Sequence, residues 1–173
     1  MKKRLPMFRF PRSLAFLVFT SVSANVAALP AFPSAEGYGT QTTGGRGGTI
    51  CEVTTLNDTG IGSLRDCVEV QAGARTVVFR VGGTIALSRD IVINAAHSYL
   101  TIAGQTAVGG GIQLKNWGFV IQDGGHDVVI RYLRIRPGSN ACIAQGGGSC
   151  DSVNAVTMLG RTIEKRVYNI VLD

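Results

Sequence analysis

Charge is sparse in this 173-residue sequence, with 16% of residues ionised, and there are only one tryptophan and four cysteines. No C-x-x-C occurs, and neither His97 nor His126 sits at ligand spacing from a cysteine, which argues against a structural zinc site. Beyond residue 12 there is no basic run and no interleaving of basic with aromatic residues, so no nucleic-acid footprint is present. Gly44-Gly-Arg-Gly-Gly48 and Gly109-Gly-Gly111 lack the Lys-Ser/Thr pair that follows a phosphate-binding loop, and they read as tight turns. Long helical patterns are few. Hairpin signals are also scarce: Asp123-Gly124 is the one two-residue candidate, and Gly125-His126 follows it before the next apolar run.

The first 28 residues have a separate logic. Lys2, Lys3, Arg4, Arg9 and Arg12 form a basic stretch without an acid, followed by the apolar run Leu14–Thr20. Val22-Ser-Ala24 or Val26-Ala-Ala28 then offers the small residues of a cleavage site, so 1–28 reads as a secretory signal peptide. The apolar run is well short of the ~20 residues needed to span a bilayer. Five of the 17 basic residues lie in this leader, leaving 12 against 11 acids, a net of +1 for residues 29–173. The remainder is long enough for one domain with a real core.

An even cysteine count in an exported chain implies disulfides. Cys51 with Cys67 and Cys142 with Cys150 is the simplest of three connectivities.

What is abundant is short β-forming segments divided by Gly, Asn or Asp. They run 76–81, 84–87, 90–94, 99–102, 111–115, 119–122, 128–136, 153–159 and 167–173. β-branched residues dominate them, and several alternate apolar with polar, which places one set of side chains inside. A sandwich and a parallel β-helix both fit. The shortage of hairpin signals and of intervening helices favours the β-helix, in which each coil buries its inward residues against the next. Before residue 76, Leu64, Cys67 and Val68 fall at i, i+3, i+4 after Ser63, a plausible N-cap. This predicts a short helix over the N-terminal end of the stack, held by Cys51–Cys67. The run Val167–Asp173 is strand-like with no turn or cap after it, so the stack is expected to be incomplete at its C-terminus.

Six segments in order carry a specific resemblance. They are Ala31–Gly39, Gly44–Gly48, Leu56–Asp66, Val78–Ile85, Leu100–Thr106 and Val129–Gly138. Together they resemble the N-terminal part of secreted pectate lyase-like proteins, an all-β class built as a right-handed parallel β-helix. The resemblance covers nearly all of residues 29–173 and resolves the sandwich question in favour of the β-helix.

It implies an extracellular or periplasmic enzyme, monomeric, that cleaves an acidic, galacturonate-type polysaccharide by β-elimination. Ca2+ would bridge protein carboxylates and the substrate uronate, and an arginine would remove the C5 proton. Cys150-Asp-Ser-Val-Asn154 resembles the segment in which an aspartate opens a strand and binds calcium, so Asp151 is the metal candidate; the competing reading is a turn-capping aspartate. Relatives often place a second acid beside it, whereas here the neighbours are Cys150 and Ser152. A single carboxylate does not make a six- to eight-oxygen calcium site.

Asp173 resembles the aspartate of an Ile-Asp-His element on the next coil and is expected near the site in a structural role. The family's arginine-bearing segment lies further along, so no residue is assigned as catalytic base, and this chain alone is expected to be inactive. Arg131, Arg134 and Arg136 belong to a strand upstream of the metal segment and read as a solvated face or a substrate-binding rim. His97 and His126 precede strands and read as turn residues, while Trp117 reads equally as packing or as a sugar platform. The alternative function is a non-catalytic β-helix that binds carbohydrate or decorates a surface.

Overall fold

The computed structural model describes residues 29–138 and 154–173. Within them lie eleven strands: β1 (Thr49–Val53), β2 (Arg75–Phe79), β3 (Gly83–Ala86), β4 (Ile91–Ile93), β5 (Leu100–Ala103), β6 (Ile112–Lys115), β7 (Phe119–Gln122), β8 (His126–Arg131), β9 (Leu133–Arg136), β10 (Val156–Leu159) and β11 (Tyr168–Leu172). Every pairing is parallel. The first sheet has the order β1-β2-β5-β8-β11, the second β3-β6-β9 and the third β4-β7-β10. From β2 onward the chain visits first, second and third sheet in turn and then begins again.

Register explains why so few residues per strand suffice. On the first sheet Cys51, Val77, Ile102 and Ile130 stand in one column, and on the second Ile85, Leu114 and Ile135 do the same. Ile93 and Ile121 share a column on the third, and all of these except Ile135 are buried. Each buried aliphatic side chain contributes about 1.5–3 kcal/mol relative to exposure. A three- to five-residue strand supplies two of them, and the neighbouring coil supplies their partners.

The run 128–136, expected as one strand, is two. Tyr132 adopts φ 56° and turns the chain from β8 on the first sheet to β9 on the second. That corner also accounts for the imperfect alternation across Arg131 and Leu133. Asp123 and Gly124 both have positive φ and link β7 on the third sheet to β8 on the first, so no hairpin forms there. β1 is an additional strand that the short-segment pattern does not reveal.

The predicted helix is a helical turn whose core, Asp66–Val70, is π-type. The Ser63 hydroxyl accepts a hydrogen bond from Asp66 N at 3.1 Å, the capping geometry expected of it. Leu64, Cys67 and Val68 from this turn join the buried core, and Cys67 is disulfide-bonded to Cys51 on β1. Cys142 and Cys150 lie outside the described residues.

Ahead of β1, residues 39–48 form a strap across the first sheet. A Cβ on Gly39 would meet the Ile170 carbonyl, one on Gly44 the Thr101 hydroxyl, one on Gly45 the Arg75 carbonyl and one on Gly48 the Ala74 carbonyl. The strap thus runs from β11 back to β2, and it lies flat because glycine leaves nothing between it and the sheet backbone.

Candidate functional site

Asp173 follows β11 and extends the pairing with β8: its N–H donates to the Ile130 carbonyl and its carbonyl accepts from Tyr132 N, each at 2.9 Å. Its carboxylate Oδ2 accepts from Arg131 Nε at 2.7 Å. The Arg131 guanidinium lies 3.5 Å from the centroid of the Phe32 ring and 5.1 Å from that of Tyr132. Arg131 is therefore held between a carboxylate and two aromatic faces, with its positive charge favourably placed against their π-clouds. The segment Ala31–Gly39, met in the sequence only as a motif, supplies Phe32 to this cluster.

Beside it, an open groove of about 650 Å³ is bordered by Gly104, Gln105, Gly111, Tyr132, Arg134 and Asp173. A second, of about 710 Å³, is bordered by Asp123, His126, Glu164, Arg166 and Tyr168. His126 stacks on Tyr168 with ring centroids 4.9 Å apart and meets the edge of Tyr99 at 5.0 Å. His126 Nδ1 is 2.8 Å from the Gly124 carbonyl, which ties the ring to its own turn. Trp117 is partly buried and packs against the core.

Asp151, the sequence-derived metal candidate, lies outside the described residues. Among the described residues no group of three His, Cys, Asp or Glu is placed to hold a metal ion. Asp173 brings one carboxylate, already ion-paired with Arg131, and the described residues by themselves do not fit a calcium ion that needs six to eight oxygens.

The best-formed charge network lies elsewhere, in the segment Leu56–Asp66 and its surroundings. Arg65 is 4% exposed, and it donates to Asp58 Oδ1 at 2.7 Å, to Glu69 Oε1 at 3.0 Å and to the carbonyls of Arg89 and Asp90. Arg89 closes the network on Glu69 at 2.6 Å. Burial raises the Asp58 carboxyl, but hydrogen bonds from Ser88 and from Arg65 outweigh it and hold the group below the usual carboxylate range. Burial likewise raises Glu69, and bonds from Arg89 and from Val92 N, with the Arg65 charge, bring it below that range. This cluster pins the helical turn to the chain around β4. It is architecture, distant in sequence from the candidate site.

Two further buried polar groups carry no sequence signal. Arg75 is fully buried without a carboxylate, its guanidinium donating to the carbonyls of Cys67, Gly73 and Val68, each at 2.7 Å. Burial pulls its pKa downward. Asp127 is 7% exposed and accepts from Thr42 and Thr43 of the strap.

No family model matches the chain. Several fungal proteins do. It is 49% identical over 118 residues to a protein of Neosartorya fischeri named probable pectate lyase C, covering 67% of this chain and 26% of that one. The protein of the same name from Aspergillus terreus is 46% identical over 127 residues, 72% of this chain and 28% of the relative. That from Aspergillus oryzae is 43% identical over 146 residues, 83% and 32% respectively. Similarity of this degree, along a chain of repeated parallel strands, places the chain in the pectate lyase-like family. It spans about a quarter to a third of the length of these relatives. Among the described residues no helix is long and apolar enough to cross a membrane.

Proposed function

We propose that the chain is part of a secreted polysaccharide lyase that cleaves a polygalacturonate-type polymer by β-elimination. The observation that carries this reading is the 43–49% identity to proteins named pectate lyase C over at least two thirds of the chain. The cyclic visiting of three parallel sheets supports winding as a right-handed β-helix, with residues 64–70 covering its N-terminal end. Residues 1–28 serve as signal peptide and 29–173 as the first part of the lyase-like domain, acting as a monomer.

In such a reaction a base takes the C5 proton, the C4–oxygen bond of the next sugar breaks, and an unsaturated uronate remains. No residue of this chain is assigned as that base. Ca2+ belongs to the proposal through the family, with Asp151 as one ligand; among the described residues no three candidate ligands stand together. Asp173 and Arg131 position the strand beside the groove, and neither is given a catalytic role.

The test is incubation with polygalacturonate, with and without calcium, following the ultraviolet absorbance of the unsaturated product. A full-length protein containing this region should give calcium-dependent absorbance, and its absence would remove the lyase reading for that substrate. Asp151→Ala should weaken calcium binding measured by calorimetry. A second reading is a non-catalytic β-helix that binds acidic polysaccharide, since function resides in the site and not in the fold. It predicts polymer binding without turnover.

A further inference from the structure

The outward face of the second sheet carries an unbalanced charge. On it the register places Thr84, Gln113 and Arg134 in one column and Ala86, Lys115 and Arg136 in the next. The inward residues Ile85, Ile112 and Leu114 are buried, whereas Lys115, Arg134 and Arg136 are exposed. Lys115 stands directly opposite Arg136, about 4.8 Å away along the backbone ladder, and Arg134 lies two residues along the same strand, about 6.6 Å away. Like charges opposed on adjacent strands destabilise a sheet.

Their neighbours do not compensate for this. Among the described residues none of the three side chains has an ion pair or hydrogen bond to an acid. Asp173, which lines the groove that Arg134 borders, is engaged with Arg131, and the carboxylates of Asp58, Glu69, Asp90 and Asp123 have partners of their own. By contrast Arg80, exposed just after β2, is paired with Glu52 of the neighbouring strand β1. Lys115, Arg134 and Arg136 stand together on one sheet face with no carboxylate paired among them.

We propose that this face of the second sheet is a binding surface for an acidic polysaccharide, with Lys115, Arg134 and Arg136 each taking a uronate carboxylate. A polyanion relieves the mutual repulsion of the three cations, and a flat ladder of β-strands accepts an extended chain without rearrangement. Arg136 and Arg134 offer planar forks suited to carboxylates, and Lys115 offers a mobile point charge. The surface meets the groove beside the Asp173–Arg131 cluster at Arg134, while Lys115 and Arg136 lie outside that groove's lining, and none of the three is given a role in turnover. It shares only the class of ligand with the proposed function.

The test uses fluorescently labelled oligogalacturonate and the secreted chain, with affinity measured by anisotropy at low and at moderate salt. Lys115→Ser, Arg134→Ser and Arg136→Ser combined should weaken binding roughly tenfold or more and flatten its salt dependence. Arg161→Ser, an exposed cation outside this face, should leave binding unchanged. The single variants guard against misfolding, each giving a smaller loss with unaltered melting temperature. Equal binding by the triple variant, or equal binding of a fully methyl-esterified polymer, would overturn the assignment. Because the readout is binding, absence of lyase product leaves it standing.

Discussion

The carboxylate of Asp127, buried at a corner of β8, accepts a hydrogen bond from the Thr42 hydroxyl at 2.9 Å across 85 residues of chain. Thr43 N and Oγ1 donate to the same oxygen at 3.2 and 3.4 Å, and Asn169 Nδ2 approaches it at 3.5 Å from the next coil. Tyr99, Asp127 and Asn169 each precede a paired strand residue in register, and each has φ between 51° and 57°. A left-handed corner repeated on three coils thus turns one carboxylate toward the strap, and aspartate and asparagine tolerate that conformation better than most residues.

Asp127→Ala should destabilise the chain by about 2–4 kcal/mol, because it strands the Thr43 amide and places alanine in a left-handed corner. Asp127→Asn keeps the corner and part of the bonding and should cost about 1 kcal/mol. Urea denaturation measures both, and proteolytic cutting between residues 29 and 48 should speed up in the alanine variant first.

Gly45→Ala should lift the strap, since the new methyl would meet the Arg75 carbonyl and neither backbone has room to yield. The expected loss is about 1–3 kcal/mol. Gly109→Ala is the control for glycine replacement in open space, where the only penalty is the positive φ of 58°. Comparable melting temperatures for Gly45→Ala and wild type would show that the strap stands off the sheet in solution.

Arg75→Leu should be among the most damaging single changes, at about 3 kcal/mol or more. It removes the donors that satisfy the buried carbonyls of Cys67 and Val68 at the end of the helical turn. Arg75→Lys should recover only part of this, because an ammonium does not span three carbonyls as the guanidinium fork does. Thermal melting ranks the three proteins.

Reducing the chain, or replacing Cys51 and Cys67 by serine, should cost about 2–4 kcal/mol, as the disulfide closes a loop across a sequence separation of 16. Both sulfur atoms sit in the core, so serine also brings two hydroxyls into apolar surroundings. Melting of the Cys51→Ser, Cys67→Ser double variant against the unaltered chain gives the value for this bridge alone.

Acid should loosen the region around residues 58–92 before the rest. Folded Asp58 and Glu69 have lowered pKa values, so their stabilisation is complete above the unfolded carboxyl range of about 4. It is lost as pH falls through the lowered folded values. The double variant Asp58→Asn, Glu69→Gln should therefore be less stable at neutral pH and lose less stability on acidification. Parallel stability curves for the two proteins below pH 4 would rule out this network as the acid-sensitive element.

Most of the β content was open to reading along the chain. Ile112–Lys115 and Phe119–Gln122 announce themselves by β-branched runs between turn formers, because inward and outward positions alternate with period two. Sequence also bears the family likeness, since six ordered motifs survive in Ala31–Gly138 whatever their structural reasons. Those reasons emerge only in three dimensions. Gly44–Gly48 is glycine-rich because it lies on the backbone of the first sheet, and Leu56–Asp66 carries Asp58 and Arg65 because they lock a helical turn to the chain around β4.

Tertiary structure alone decided where the 128–136 run breaks, since Tyr132 has no turn-former's signature and its corner is set by coils on either side. It alone buried Arg75 and Asp127, whose partners are carbonyls and hydroxyls from distant coils. It alone aligned Lys115 with Arg134 and Arg136, residues separated in sequence but placed side by side by the offset between successive coils. Period and composition act over a few residues, whereas these neighbours arise from the winding of whole coils, which no local pattern encodes.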